Sequence, residues 1–306
     1  MCFFSACIIK IIPLYLNILL GYIAGKLLHA NRDTIVRIMF YMINPIVIFN
    51  GVLHIDLRPD TLAIPAVVFF ISASLCFVFY KIAHGMWQDA TATLVSYSAG
   101  SANTGYFGLP IALLLFDEHG EALYIMGLLG VSFYENTLGV SLFDKGGFSV
   151  KNTVKSFATL PAFYALIIGL MINYAQIPIP EIFDEFMRHI KGAYALLGMM
   201  IVGLGLATLS HFKLDFKFLG ITFFAKFVVW PLVILSIIFI DRHLIGFFNQ
   251  QIYDALVLLS IVPLSVNTVM MASLTNSYPE KAATAVLIST FFALGYIPIM
   301  ANYFIL

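Results

Sequence analysis

"SAGSANTGYFGLPIALLLFD", Ser98 to Asp117, is apolar towards its C-terminal end but carries Asn103, Thr104, Gly105, Gly108 and Pro110 in its middle. Pro110 has no N–H, so the carbonyl of Tyr106 loses its helical partner. Gly105 and Gly108 lower the cost of leaving helical geometry and leave room for close approach. In hydrocarbon an unsatisfied backbone group is expensive, so an interruption this dense is tolerable only inside protein or beside a water-filled cavity. The stretch therefore predicts a discontinuous helix within a bilayer.

The rest of the chain supplies that bilayer context. Of 306 residues, 61% are hydrophobic and only 10% are charged, where a soluble domain carries about 25% charged residues. Lys+Arg and Asp+Glu both count 16, so no basic excess points to a nucleic-acid partner. Cys2, Cys7 and Cys76 form no disulfide framework, and neither they nor the seven histidines have metal-ligand spacing. Neither H-E-x-x-H, G-x-S-x-G nor a phosphate-binding loop occurs, so no enzyme is expected. "GLGLAT" lies within a span and is no dinucleotide fingerprint.

A span needs about 20 mostly apolar residues. Ten stretches qualify: 8–28, 35–54, 61–82, 91–116, 122–143, 158–175, 191–210, 217–240, 252–275 and 282–304. The odd-numbered connections hold Lys26, Arg32, Lys81, Lys145, Lys151, Lys155, Lys213, Lys217 and Lys281, against Arg58, Arg188, Lys191 and Arg242 in the even-numbered ones. This bias puts the odd connections in the cytoplasm and both termini outside a multi-pass cytoplasmic membrane protein.

The fifth connection, 144–157, is basic and falls at the chain's midpoint. Around it the sequence repeats itself. "PLYLNILLG" (Pro13–Gly21) and "PAFYALIIG" (Pro161–Gly169) both place Gly eight residues after Pro; "SANT" (Ser101–Thr104) and "SVNT" (Ser265–Thr268) share Ser-x-Asn-Thr. Each pair is five spans apart, and an odd offset makes the halves insert in opposite senses. The expected architecture is all-α: ten transmembrane helices in two inverted five-helix repeats, 1–143 and 158–306, with helices four and nine broken.

Span nine carries the second break, "IVPLSVNTVMMASLTN", where Pro263 frees the carbonyl of Leu259 and Asn267-Thr268 follow. One interruption alone reads as a proline kink. Two at corresponding places predict half-helices meeting near the midplane, with free N–H groups and positive dipole ends aimed at one point suited to a carboxylate.

"NTGYFGLPIALLLFD" and "VPLSVNTVMMASLTNSYPEKAATAVLIST" resemble the auxin efflux carrier family, whose bacterial and archaeal members are known as permeases for malonate, malate and related acids and whose plant members are the PIN exporters. The resemblance covers the whole chain, and the short central connection is similar to the prokaryotic members. It implies a fold like that of the bile-acid sodium symporters, with a scaffold of spans 1, 2, 6 and 7 and a mobile transport domain of spans 3–5 and 8–10. It also implies an elevator-type movement, homodimerisation through the scaffold, and a crossover mapping onto Asn103-Thr104 through Pro110 and onto Pro263 through Thr268.

Polar residues inside the spans complete the expected site. Glu135, in "GVSFYENTLGV", is an intramembrane carboxylate and so a functional candidate. It reads either as a proton-coupling group, protonated when an anion binds, or as a neutral group bonded to a neighbouring helix. By the resemblance, Asn136 is a pocket residue. Asn44, before Pro45, reads as part of a kink or as a substrate-facing wall, and Lys226 as a counter-ion or a snorkelling cation. The GxxxG "GYIAG" (Gly21–Gly25) and the glycines of "GMMIVGLGLA" suggest close helix packing. The expected substrate-binding set is Asn44, Asn103, Thr104, Gly105, Pro110, Asn136, Pro263, Asn267 and Thr268, with Glu135 for proton coupling, no cofactor, and H⁺ or Na⁺ as coupling ion. The expected function is carriage of a small organic anion such as malonate, malate or an auxin-like acid. Sodium-coupled symport is the alternative, and a membrane sensor of organic acids a remote one.

Overall fold

Every apolar run is helical in the computed structural model, which describes residues 3–143, 160–207 and 214–305, with the backbone alone for residues 3–10. The central connection, 144–157, with Lys145, Lys151 and Lys155, lies outside the described residues, as does Lys213. The helices are α1 (Phe3–Leu27), α2 (Arg32–Leu53), α3 (Pro59–Met86), α4 (Ala90–Gly100), α5 (104–115) and α6 (118–141) in the first half. In the second they are α7 (Pro161–Tyr174), α8 (Ile182–Ala207), α9 (Phe216–Ile245), α10 (Gln250–Ile261), α11 (Asn267–Leu274) and α12 (Pro279–Phe304). Among the described residues there is no strand. Five helices, α2, α3, α8, α9 and α12, are each long and apolar enough to cross a membrane. The fourth and ninth apolar runs are each two shorter helices in sequence, α4 then α5 and α10 then α11.

Helix starts follow local capping chemistry. Asn31, Asp89, Asp117, Asp215 and Asn249 each accept a backbone N–H from the first turn of the helix that follows, a contact worth about 1 kcal/mol apiece. The boundary that differs most from the sequence expectation is that of α8, which begins at Ile182, nine residues before the expected edge. Arg188 and Lys191 therefore lie within the helix, and Lys191 is ion-paired at 2.5 Å with Glu121 of α6.

Three prolines within helices are absorbed by wide turns, whereas Pro13, Pro65 and Pro298 sit in helices with no such turn before them. π-helical turns at Met39–Ile43, Thr104–Gly108 and Ala225–Val229 each end two residues before a proline: Pro45, Pro110 and Pro231. A proline ring clashes with the carbonyl four residues back and offers it no N–H; widening that turn relieves the clash. The freed carbonyls find other neighbours. Phe227 O accepts the Tyr296 hydroxyl at 2.9 Å. Tyr106 O lies against Gly198 of α8, where a Cβ would stand 3.1 Å from it.

Two helix pairs make one side of the molecule, α1 with α8 and α2 with α7. The α1–α8 seam is closed to any larger residue: a Cβ on Gly203 would fall 1.9 Å from Ile18 O, and one on Gly21 would fall 2.2 Å from Met200 O. Gly169 of α7 lies likewise against the backbone of α2, with its Cβ position 3.2 Å from Phe49 O. The two glycines eight residues after proline thus each lie at a close helix contact. Asn173, which carries no signal in the sequence, closes the end of α2 by donating to the carbonyls of Val52, Leu53 and Ile55 at 2.8–3.1 Å.

The other helices form a second group: α3 packs on α4 and α6, α10 on α6, α9 and α12, and α11 on α12. One end of this group is clasped by polar contacts. Lys281 pairs with Asp215 at 2.9 Å, and the Tyr278 hydroxyl donates to Asp89 at 3.1 Å, tying the starts of α12, α9 and α4 together.

Candidate functional site

The two breaks meet. α4 ends at Gly100, and residues 101–103 are non-helical; α10 ends at Ile261, and residues 262–266 are non-helical. Asn103 N donates to Pro263 O at 2.9 Å, joining one interruption to the other. The hydroxyls of Ser101 and Thr268 approach to 3.4 Å across the same contact. Gly108 permits this approach, because a Cβ there would fall 2.0 Å from the Tyr124 hydroxyl and 2.9 Å from Val262.

Unwound backbone inside a protein must find partners. Leu264 N donates to the Ser289 hydroxyl at 3.2 Å, and Asn267 N to the Ser265 hydroxyl at 3.2 Å. The end of α4 is closed by side chains from other helices: Trp230 Nε1 donates to Ala99 O at 2.7 Å and the Tyr134 hydroxyl to Tyr97 O at 3.1 Å. The Tyr124 hydroxyl donates to Thr104 O at 3.1 Å.

Beside the contact lies a small cavity. Asn44, Asn103, Thr104, Gly105, Glu135, Asn136 and Asn267 all line it, as expected from sequence. Pro110, Pro263 and Thr268 do not. Pro110 lies beyond the break, in the helical part of α5, where its ring stands 3.6 Å from the Cβ position of Gly198. The break therefore falls at 101–103, before the proline that was expected to cause it. Pro263 contributes its carbonyl to Asn103, and the Thr268 side chain is spent on Ser101. Residues not expected there also line the cavity, including Tyr106, Tyr194, Ser132 and Ser265. Ser265 stands in the quoted "SVNT" repeat. The tyrosines carry no sequence signal in a chain with 15 of them.

The charged groups are buried. Glu135 is 5% exposed and Lys226 fully buried. Asn267 Nδ2 donates to Glu135 Oε2 at 2.6 Å, and the Ser265 hydroxyl and Ala102 N–H face the same carboxylate. Glu135 Oε1 and the Asn103 Nδ2 amide are buried without a hydrogen-bond partner among the described residues. Lys226 acts electrostatically on Glu135, and its ammonium sits 4.4 Å over the Trp230 ring without a hydrogen-bond acceptor among the described residues. It is too deeply held to snorkel, so of its two readings the counter-ion is the one compatible with its burial.

Four π turns bring these groups in. Thr104 to Tyr106, Glu135 with Asn136, and Lys226 lie within such turns, and Asn44 follows one directly. Such a turn re-aims side chains relative to a regular helix and is frequent at functional sites. The Tyr194 hydroxyl reaches Asn44 Oδ1 at 3.4 Å, so α8 and α2 face the breaks across the cavity.

A family model described as membrane transport protein matches residues 148–301, just over half of the chain. Asn267, Lys226 and the second break fall inside the matched stretch; Asn103 and Glu135 fall before it. No curated protein matches the chain.

Proposed function

The chain belongs to the membrane transport protein family of the auxin efflux carriers, and from that premise we propose that it carries a small organic anion, of the malonate or malate class or an auxin-like acid, across the cytoplasmic membrane. The observation that carries this reading is the convergence of Asn103 and Asn267, from the two interrupted helices, and Glu135, from α6, on one cavity. Asn103 Nδ2 supplies a buried donor with no partner among the described residues. The first N–H groups of α5 and α11 and their dipoles add positive potential there. A carboxylate answers both.

Glu135 and Lys226 give the cargo a link to protons. While Glu135 is ionised, it and Asn267 form a closed pair and Lys226 is compensated. When Glu135 takes a proton, the Lys226 charge is left without its anion, and an arriving carboxylate restores the balance. Proton and anion then travel together, because a buried uncompensated charge is costly in either alternative.

The packing supports a division of labour. The α1–α8 and α2–α7 pairs form the scaffold, through which the homodimer assembles; α3–α6 and α9–α12 form the mobile part, and an elevator movement carries the cavity past the α2 and α8 wall. Exchanging the first five spans for the last five turns the α1–α8 pair into the α7–α2 pair, as inverted repeats require. By the Lys and Arg bias, both termini lie outside.

The test is uptake of labelled malonate, malate, succinate and indole-acetate into proteoliposomes under separately imposed proton and sodium gradients, with Glu135→Gln beside the wild type. Acceleration by an inward proton gradient, lost in the variant, is the expected result. Acceleration by sodium alone would establish sodium symport instead. Ligand binding with no flux of any acid would make the protein a sensor.

A further inference from the structure

A second cavity lies between the two helix groups, away from the break contact. Arg32 of α2, Ile201 and Gly205 of α8, Val269 of α11, and Val286 and Thr290 of α12 line it. Apart from Arg32 and Thr290 its wall is apolar. Arg32 Nε is buried and has no hydrogen-bond partner among the described residues, and no ion pair among them engages the guanidinium. Nor does helix geometry explain the residue, since a cation in the first turn of a helix opposes its dipole. A guanidinium presents a planar fork matched to a carboxylate.

The cavity is continuous with the first in its walls. Val266 lines both. Tyr106, which lines the first, is within electrostatic reach of Arg32. Val266 belongs to the second unwound segment and is a wall common to both spaces, and Tyr106 stands in the first turn of α5, three residues past the first unwound segment. We propose that Arg32 and this cavity form a second carboxylate subsite, on the α2 N-terminal face of the protein, that receives the organic anion before or after it occupies the Asn103–Asn267 cavity, with Tyr106 and Val266 as the partition it passes. The proposal rests on the anion-transport reading and adds to it a face-specific affinity.

The subsite acts on one side of the membrane only, and that separates it from a structural role. Malonate is the probe, offered to membrane vesicles of each orientation. Arg32→Gln should raise the half-saturation concentration about tenfold at the face where α2 begins, the scale of one lost charge-assisted contact, and leave the opposite face unchanged. Arg32→Lys, which keeps the charge but not the fork, should show a smaller shift at the same face. Equal shifts at both faces, or none, would overturn the subsite; if Arg32→Gln does not fold, unchanged half-saturation at both faces in Arg32→Lys does so. A second measurement stands apart from flux: malonate should still raise the melting temperature of purified Asn103→Ala, and that rise should vanish in Arg32→Gln/Asn103→Ala. If the wild type moves no acid and this pattern holds, the transport reading falls and the subsite stands. No malonate response in Asn103→Ala overturns the subsite whatever the flux.

Discussion

The two interruptions share Ser-x-Asn-Thr and are built differently. In the first, Asn103 lies in the unwound segment, its backbone N–H given to Pro263 and its side-chain amide buried with no partner among the described residues. In the second, the unwound segment comes earlier, Asn267 is already the first residue of α11, and its amide is committed to Glu135 at 2.6 Å. Aligned on the shared letters, the second unwound segment begins three residues earlier and ends one residue earlier, yet this turns one asparagine towards the cavity and the other onto a carboxylate. Matching letters thus do unequal work: the Asn103 amide is left without a partner among the described residues, while Asn267 holds the Glu135 carboxylate.

The sharpest way to break this contrast is to remove the two amides separately. Asn267→Ala takes the 2.6 Å amide hydrogen bond from a buried carboxylate, a loss on the scale of about 1.5–3 kcal/mol. It should reduce proton-driven uptake by roughly tenfold to a hundredfold and lower the melting temperature as well. Asn103→Ala removes a donor that stabilises nothing within the described residues. It should raise the half-saturation concentration for the anion about tenfold with the melting temperature unchanged. Matching effects on flux and stability in the two variants would abolish the distinction.

The caps behind the interruptions differ in the same way. The end of α4 is held by an indole N–H from α9, and the middle of the second unwound segment by a hydroxyl from α12. Trp230→Phe keeps most of the volume but strands the Ala99 carbonyl and weakens the aromatic face under Lys226. A loss of about 1–3 kcal/mol is expected from the carbonyl alone, read as a lower melting temperature in detergent. An unchanged melting temperature would mean the first break needs no such closure.

Much of this is legible in the sequence, and what is not has a common cause. Apolar run length marks all ten helical stretches, and Asn-Thr within them marks both breaks to within a few residues. Asn44, Asn103, Glu135 and Asn267 stand out in the sequence because a polar group in hydrocarbon is costly, and Asn136 by the resemblance alone; all five line the cavity. Proline misleads. Pro110 reads as the cause of the first break, but a preceding π turn absorbs it, and sequence carries no mark that separates absorption from rupture. For the same reason the Pro231 turn that sets Lys226 stays hidden. Tyr106, Tyr194, Trp230 and Asn173 escape a reading of the sequence because each acts on a helix distant in the chain, and only packing reveals its partner. The α8 start at Ile182 escapes it because Arg188 and Lys191 look like loop residues until Glu121 is seen to pair with Lys191.

The smallest expected effect tests the second interruption alone. Ser289 receives the Leu264 N–H at 3.2 Å and is itself bonded back to Val286 O at 2.8 Å within α12. Ser289→Ala leaves that N–H unpaired in a fully buried place, at a cost of about 1 kcal/mol. The residue does not line the cavity, so half-saturation should be unchanged while the melting temperature falls by a few degrees, roughly the shift one such contact gives in a chain of this size. If instead affinity falls and stability holds, the second unwound segment is shaped by the ligand rather than by α12. The contrast with the first interruption would then reverse, with Asn103 belonging to the more rigid side.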